Sequence, residues 1–170
     1  MGSFSGLQFL CHVDNAAGAS AQLVSPVFDS TSWNYLAVMV RIAGYSSTAV
    51  ARLRFNGDTG TTAYTLSVME GATAPTTQVS GTAAGIQLAT TAQVARALIG
   101  PIWIRNVTGQ VHGITWTGSS GSESAATAPA VVQGAGVWTN TAKITQITLD
   151  VGSGGGTLNA GTAMDVYGVQ

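Results

Sequence analysis

Alternation of apolar and polar residues with a period of two dominates the chain, and it predicts strands. In Trp33-Asn-Tyr-Leu-Ala-Val-Met-Val-Arg-Ile42, one face carries Leu36, Val38, Val40 and Ile42 and the other Trp33, Tyr35, Ala37, Met39 and Arg41. Both faces are largely apolar, so this strand is expected at the centre of a sheet or beneath a subunit contact. The next run puts Ala51, Leu53 and Phe55 on one side and Arg52 and Arg54 on the other. Asn56-Gly57-Asp58-Thr59-Gly60 then supplies turn residues, and Tyr64 to Val68 resumes the alternation, so 50–69 reads as a β-hairpin.

Further strands are expected at 86–90, 101–107, 110–117, 143–151 and 164–169, the last two joined by a glycine-rich turn at 152–156. The Ala, Thr, Pro and Ser content of 71–85 predicts an exposed loop, and the serine-rich 118–130 a second. Residues 92–99 suit either a helical turn or a strand, ended by Gly100-Pro101. Residues 1–31 read as an N-terminal arm with a first edge strand, and 32–170 as the main domain. About eight or more short strands and no amphipathic helix predict an all-β, antiparallel two-sheet sandwich or jelly roll.

Composition changes this picture in one respect. The 170 residues hold only 6 basic and 7 acidic side chains, where an ordinary domain carries about 25% charged residues. No apolar span is long enough to cross a bilayer, so the polar surface has to be built from Thr, Ser, Asn, Gln and Gly. A surface with so few charges offers little self-repulsion and is expected to be covered by copies of itself or by a partner. A net charge of −1 without a basic cluster lacks the phosphate-neutralising contacts that nucleic acid requires. The single cysteine, Cys11, excludes an internal disulfide framework. No signal-peptide pattern opens the sequence, so synthesis in a cytoplasm is expected.

Three segments carry a resemblance: Arg54-Phe55-Asn56-Gly57-Asp58-Thr59-Gly60 followed by Tyr64; Trp138-Thr139-Asn140-Thr141 leading to Ile144-Thr145-Gln146-Ile147-Thr148-Leu149; and Gly161-Thr162 leading to Val166-Tyr167-Gly168. In order and spacing they resemble a recurring pattern of tailed-bacteriophage virion proteins. The resemblance implies a jelly-roll structural subunit, commonly a trimeric cement or decoration protein that clamps major capsid subunits, with tail, neck and baseplate components as relatives in fold. It brings no catalytic residues.

Candidate chemistry is sparse. Cys11-His12-x-Asp14 offers metal-ligand types, but neighbours on a strand point to opposite faces, so no metal site is expected. His112 has no Gly-x-Ser-x-Gly elbow beside it, Gly152-Ser-Gly-Gly-Gly156 lacks the Lys and Ser/Thr of a phosphate loop, and Asp58 alone is too few carboxylates for calcium. No enzyme, cofactor, nucleic-acid or membrane partner is expected. Arg52 and Arg54, sharing one strand face, are candidates for charge-assisted contacts with a neighbouring subunit, or else they solubilise that face or pair with Glu70. The apolar residues of the arm, Phe4, Leu7, Phe9 and Phe28, are candidates for contact with the capsid or a neighbour. Trp33, Trp103, Trp116 and Trp138 serve as core and interface anchors, or as stacking platforms for a glycan. The expectation is thus a homotrimeric virion subunit on the capsid surface, with a tail, neck or baseplate subunit and a host glycan- or receptor-binding module as alternatives.

Overall fold

A computed structural model describes residues 6–45, 50–71, 76–88, 96–121, 130–152 and 156–170, with the backbone alone over 76–82. Among these residues twelve strands form two antiparallel sheets: β1 Gln8–Asp14, β2 Gln22–Val24, β3 Tyr35–Ile42, β4 Ala51–Phe55, β5 Tyr64–Gly71, β6 Thr76–Ala83, β7 Ile86–Gln87, β8 Arg96–Arg105, β9 His112–Gly121, β10 Ala130–Trp138, β11 Ile147–Val151 and β12 Ala163–Val169. The large sheet runs β1-β12-β3-β8-β9-β10-β5-β6 and the small one β2-β11-β4-β7. A single core lies between them, with Leu36, Val38, Ile102, Ile114 and Val166 from the large sheet facing Leu53, Phe55, Ile86, Ile147 and Leu149 from the small one. No helix long and apolar enough to cross a membrane is present among the described residues.

The alternation in 33–42 places its residues as expected: Leu36, Val38, Val40 and Ile42 are buried in a strand paired on both sides. Residues 50–69 do not form a hairpin. The turn itself is there, with Asn56 and Gly57 at φ 51° and 70° and Asp58 N–H donating to Phe55 O at 2.9 Å. Beyond it, however, the chain crosses the core, so that β4 pairs with β11 and β7 in the small sheet while β5 pairs with β10 and β6 in the large one. What holds the crossing is Tyr64. Its hydroxyl accepts from Phe55 N–H at 3.0 Å and donates to the carbonyl of Asp58 at 3.2 Å, which ties the start of β5 to the end of β4 across the two layers.

The expected loop at 71–85 contains a strand, β6, paired along β5. Residues 96–99, from the segment that suited either a helical turn or a strand, and the strand expected at 101–107 form one strand, β8, which runs through Gly100-Pro101 to Arg105. Its pairing shifts register on both sides there, between Val38 and Val40 on β3 and between Ile99 and Trp103 towards β9, and such a bulge accommodates the proline that cannot donate to a ladder. A Cβ on Gly100, which has φ 141°, would lie 2.8 Å from Val38 O, so only glycine fits.

The second expected loop is shorter than 118–130, since β9 continues to Gly121 and β10 begins at Ala130; residues 122–129 lie outside the described chain. The pattern of β10 is hidden because its inward positions are Val132, Gly134, Gly136 and Trp138. Gly134 is empty by necessity, since a Cβ there would sit 2.1 Å from the indole of Trp116.

Residues 6–31 are stitched into both sheets. β1 pairs along β12, β2 pairs with β11, and Ser25 and Phe28 N–H donate to Ile147 and Thr145 carbonyls at 2.9 Å.

Tyr64→Phe removes the hydroxyl while leaving the ring, so the buried Phe55 N–H loses its acceptor; we expect a loss of about 1–3 kcal/mol, read as a lower denaturant midpoint with an unchanged slope. Burial also pushes the Tyr64 phenol up to about 12. Because the folded value lies above the unfolded one, this contribution is complete below about pH 10 and disappears as pH rises towards 12.

Candidate assembly surface

The outward face of the large sheet can be mapped strand by strand. On β9 the outward residues are Gly113, Thr115, Thr117 and Ser119; on β10 they are Val131, Gln133, Ala135 and Val137; on β5 they are Thr65, Ser67, Met69 and Gly71. None of the twelve is charged. They fall into registered cross-strand rows, Gly113–Val137–Thr65, Thr115–Ala135–Ser67, Thr117–Gln133–Met69 and Ser119–Val131–Gly71. The second row continues across the rest of the sheet through Trp103, Ala37 and Tyr167 to Phe9. Ala37 is the low point of that row and is buried although it faces outward, while Phe9 and Tyr167 meet edge to face with ring centroids 5.7 Å apart.

Among the described residues, charge on this face is confined to its other half and its rim: Arg96 and Arg105 at the ends of β8, Arg41 on β3, Asp165 on β12, and His12 and Asp14 on β1. At the border of the uncharged half, Pro101, Trp103, Thr115, Thr117, Gln133, Ser67 and Met69 surround a groove of about 450 Å³. Trp103 and Met69 stand 41% and 43% exposed beside it, and Val131 reaches 67%. Apolar side chains and neutral hydrogen-bonding groups therefore share one flat surface with no ion to solvate it.

Of the residues expected to make contacts, Leu7 and Phe9 are exposed at the β1 edge. Phe28 is in the core, held there by its backbone bond to Thr145, and is not available to a partner; Phe4 lies outside the described residues. Arg52 and Arg54 neither meet Glu70 nor stand free in solvent. They flank Asp150, which is buried on β11: Arg52 Nε donates to Asp150 Oδ1 at 2.6 Å, and Arg54 forms an ion pair with the other oxygen. Glu70 instead points inward and accepts a hydrogen bond from Ser120. The role of Asp150 was readable in the alternation of Ile147-Thr-Leu-Asp-Val151, which sets it on the same face as Arg52 and Arg54 once β4 and β11 are paired.

The other singled-out side chains do structural work. Cys11 is buried while His12 faces out, so the two do not share a ligand shell, and no group of three metal-ligating side chains exists among the described residues. His12 Nδ1–H donates to Asp165 Oδ1 at 2.7 Å, and that bond lifts its pKa above the ordinary histidine value. His112 is fully buried, gives Nδ1–H to the Arg105 carbonyl at 2.7 Å and lies against Trp138. Asp58 accepts from Trp138 Nε1–H at 2.9 Å and from Gly60 N–H at 2.9 Å. Trp33, Trp116 and Trp138 are core residues, which leaves Trp103 as the exposed one. Most of the 152–156 turn lies outside the described residues.

Removing the Asp150 carboxylate as Asp150→Asn leaves two guanidiniums without their counter-charge, and we expect a loss of about 3 kcal/mol, the low end for a broken buried pair because both arginines keep some solvent contact; chemical denaturation measures it. The His12 bond gives a pH dependence of defined sign. Since the folded value is raised, the stabilisation of the β1 edge is complete below the unfolded value near 6.5 and fades as pH rises through the folded one. The His12 ring should titrate above a model histidine by NMR, protection of β1 amides should fall over the same range, and Asp165→Asn should reduce both effects to the smaller part that Asp14 supplies.

No family model matches the chain, and neither curated proteins nor solved structures give a match, so the functional reading rests on this surface and on the three segments described above.

Proposed function

We propose that the protein is a non-enzymatic virion subunit of a tailed phage, a capsid cement protein of jelly-roll type that clamps major capsid subunits as a homotrimer. The observation that carries this reading is the uncharged half of the outer sheet face. Twelve contiguous outward positions without a charge are a poor surface for a free domain and a good one for a permanent contact, whose buried centre is depleted in charge. The jelly-roll assignment is supported by the winding of the chain, in which every connection passes from one sheet to the other except β5–β6, β8–β9 and β9–β10.

The resemblance of the three segments to virion proteins gains a physical meaning from their placement. Asp58 of the first holds Trp138 of the second, and Asn56 of the first accepts from Thr145 and Gln146 N–H of the second at 2.8 and 3.1 Å. In the third, Thr162 accepts from Ala43 N–H at 3.1 Å and Gly168 makes room for the Trp33 indole. Such a pattern belongs to a scaffold. Binding only the assembled shell, the subunit would stabilise that state by mass action.

A second reading, a glycan-binding module, is favoured by one observation, the exposed Trp103 ring beside the hydroxyls of Thr115 and Thr117 and the amide of Gln133. A tail, neck or baseplate subunit would use the same surface at another place in the particle. An electron cryo-microscopy map of the intact particle separates these. Regular density over the capsid lattice is expected; density only in the tail moves the function to joining or attachment; absence from the particle overturns the virion reading.

A further inference from the structure

The sequence has six basic side chains, and four of them are engaged within the fold: Arg52 and Arg54 by Asp150, Lys143 by the carbonyls of Ser30, Thr31 and Trp33, and Arg105 by Gln110. The other two, Arg41 and Arg96, line one cavity of about 610 Å³ at the end of the large sheet where β8 begins. Arg41 lies opposite Leu98 across the β3–β8 pair and Arg96 two residues along β8, so the two are diagonal neighbours with Cα atoms about 7–8 Å apart. Arg96 has an interaction within the chain, whereas the Arg41 guanidinium makes no hydrogen bond or ion pair among the described residues. The acids nearest Arg41 across the sheet are Asp165, diagonal to it on β12, and Asp14 beyond it on β1. Both meet His12 instead, at 2.7 and 3.7 Å. Among the described residues, no acidic side chain lines the cavity.

This lining selects a ligand chemistry. A guanidinium gives a carboxylate two parallel N–H bonds, Ser119 adds a hydroxyl, and a negative charge placed here relieves the repulsion between two cations. Beside them Ile42 and Leu98 form an apolar wall, with Leu98 56% exposed. A bare inorganic anion would leave that wall in water, whereas a carboxylate carried on a polypeptide brings apolar neighbours to cover it. The volume is that of sites which enclose an organic group, about 300–1,000 Å³. The carboxylate must also come from outside this chain. Among the described residues every acid already has a partner in its own fold: Asp14 and Asp165 hold His12, Asp29 holds Thr31, Asp58 holds Trp138, Glu70 holds Ser120 and Asp150 holds two arginines. A second copy could offer none of these without breaking a contact.

We propose that the Arg41–Arg96 cavity binds an acidic peptide segment of a different virion subunit, with the carboxylate on Arg41 and its apolar flank on Ile42 and Leu98. This rests on the assembly reading above for the identity of the partner, and it adds a charged, register-setting contact to the neutral face.

NMR titration of the purified, isotope-labelled full chain tests it, with the capped peptide acetyl-leucyl-aspartyl-leucine amide as probe. Amide shifts are expected at Arg41, Ile42, Leu98 and Ser119. The asparagine counterpart of the peptide, and the Arg41→Gln chain, should each bind at least about tenfold more weakly, since each removes a charge-assisted pair. Arg41 is exposed, so the variant should keep the wild-type spectrum away from the cavity. Arg105→Gln removes a charge from the far end of the same strand and should leave binding unchanged. No shifts at these amides, equal binding of the two peptides, or wild-type binding by Arg41→Gln would overturn the proposal. So would sodium acetate binding as tightly as the peptide, which would leave a pocket for any small anion. Dissociation of an oligomer by Arg41→Gln in sedimentation would assign the carboxylate to a second copy and overturn it too. Particle occupancy separates this inference from the reading it rests on: Arg41→Gln chains that decorate capsids as fully as wild type would defeat the inference and spare the cement role, and peptide binding by a chain absent from virions would keep the carboxylate site and remove that role.

Discussion

The indole N–H of Trp138 bound to the carboxylate of Asp58 is the contact on which the two-layer arrangement turns. Asp58 sits just past the turn at which the chain leaves β4 for the large sheet, and Trp138 ends β10, just before the chain leaves the large sheet for β11. One hydrogen bond thus joins two crossings that run in opposite directions. Around it Phe55, Tyr64, Trp138 and His112 form a continuous aromatic group, and Asn56 ties the same corner to residues 143–146. Lys143 completes the corner by donating to the carbonyls of Ser30, Thr31 and Trp33 at 3.0, 2.8 and 3.0 Å. A lysine whose ammonium is saturated by backbone oxygens is a structural cation, and it accounts for one of the few charges in the sequence.

The same thrift explains the surface. Arg52 and Arg54 share Asp150, Asp58 holds an indole, Glu70 meets Ser120, and His12 meets Asp165. Many of the scarce charges are thereby committed within the fold, and the β9-β10-β5 half of the outer face is left to threonine, serine, glutamine, glycine and apolar residues. Exposed β-surface of that kind invites association, and its arrangement in registered rows on three adjacent strands gives the proposed association a defined place.

Period-two patterning made the strand class and much of the core legible from the residues. Tyr35–Ile42 and Ile147–Val151 could be read directly, because each alternates branched apolar residues without interruption. The 50–69 segment was misleading because Asn56-Gly57 forms the local turn of a hairpin, while the next step depends on Tyr64 reaching back to Phe55, a tertiary bond that no local pattern announces. β10 was lost because two of its inward positions are glycines, Gly134 emptied for Trp116 and Gly136 for Ile86 and the Thr65 backbone, and β8 was split because a bulge lets Pro101 stand inside it. Among the contact candidates, Phe28 could not be told from an exposed aromatic before its pairing with Thr145 was known. The uncharged face was foreshadowed by the charge count alone; its location required the registers of β5, β9 and β10.

The central claim is that this neutral face is covered in the assembled protein. Hydroxyl-radical footprinting reads it directly at Met69 and Trp103, two oxidisable side chains at its border, by comparing the chain assembled in the intact particle with the purified, folded chain. The account predicts that both residues are strongly protected in the assembly while Val27, exposed elsewhere, is labelled equally in the two; equal labelling of Met69 and Trp103 in both forms would contradict it.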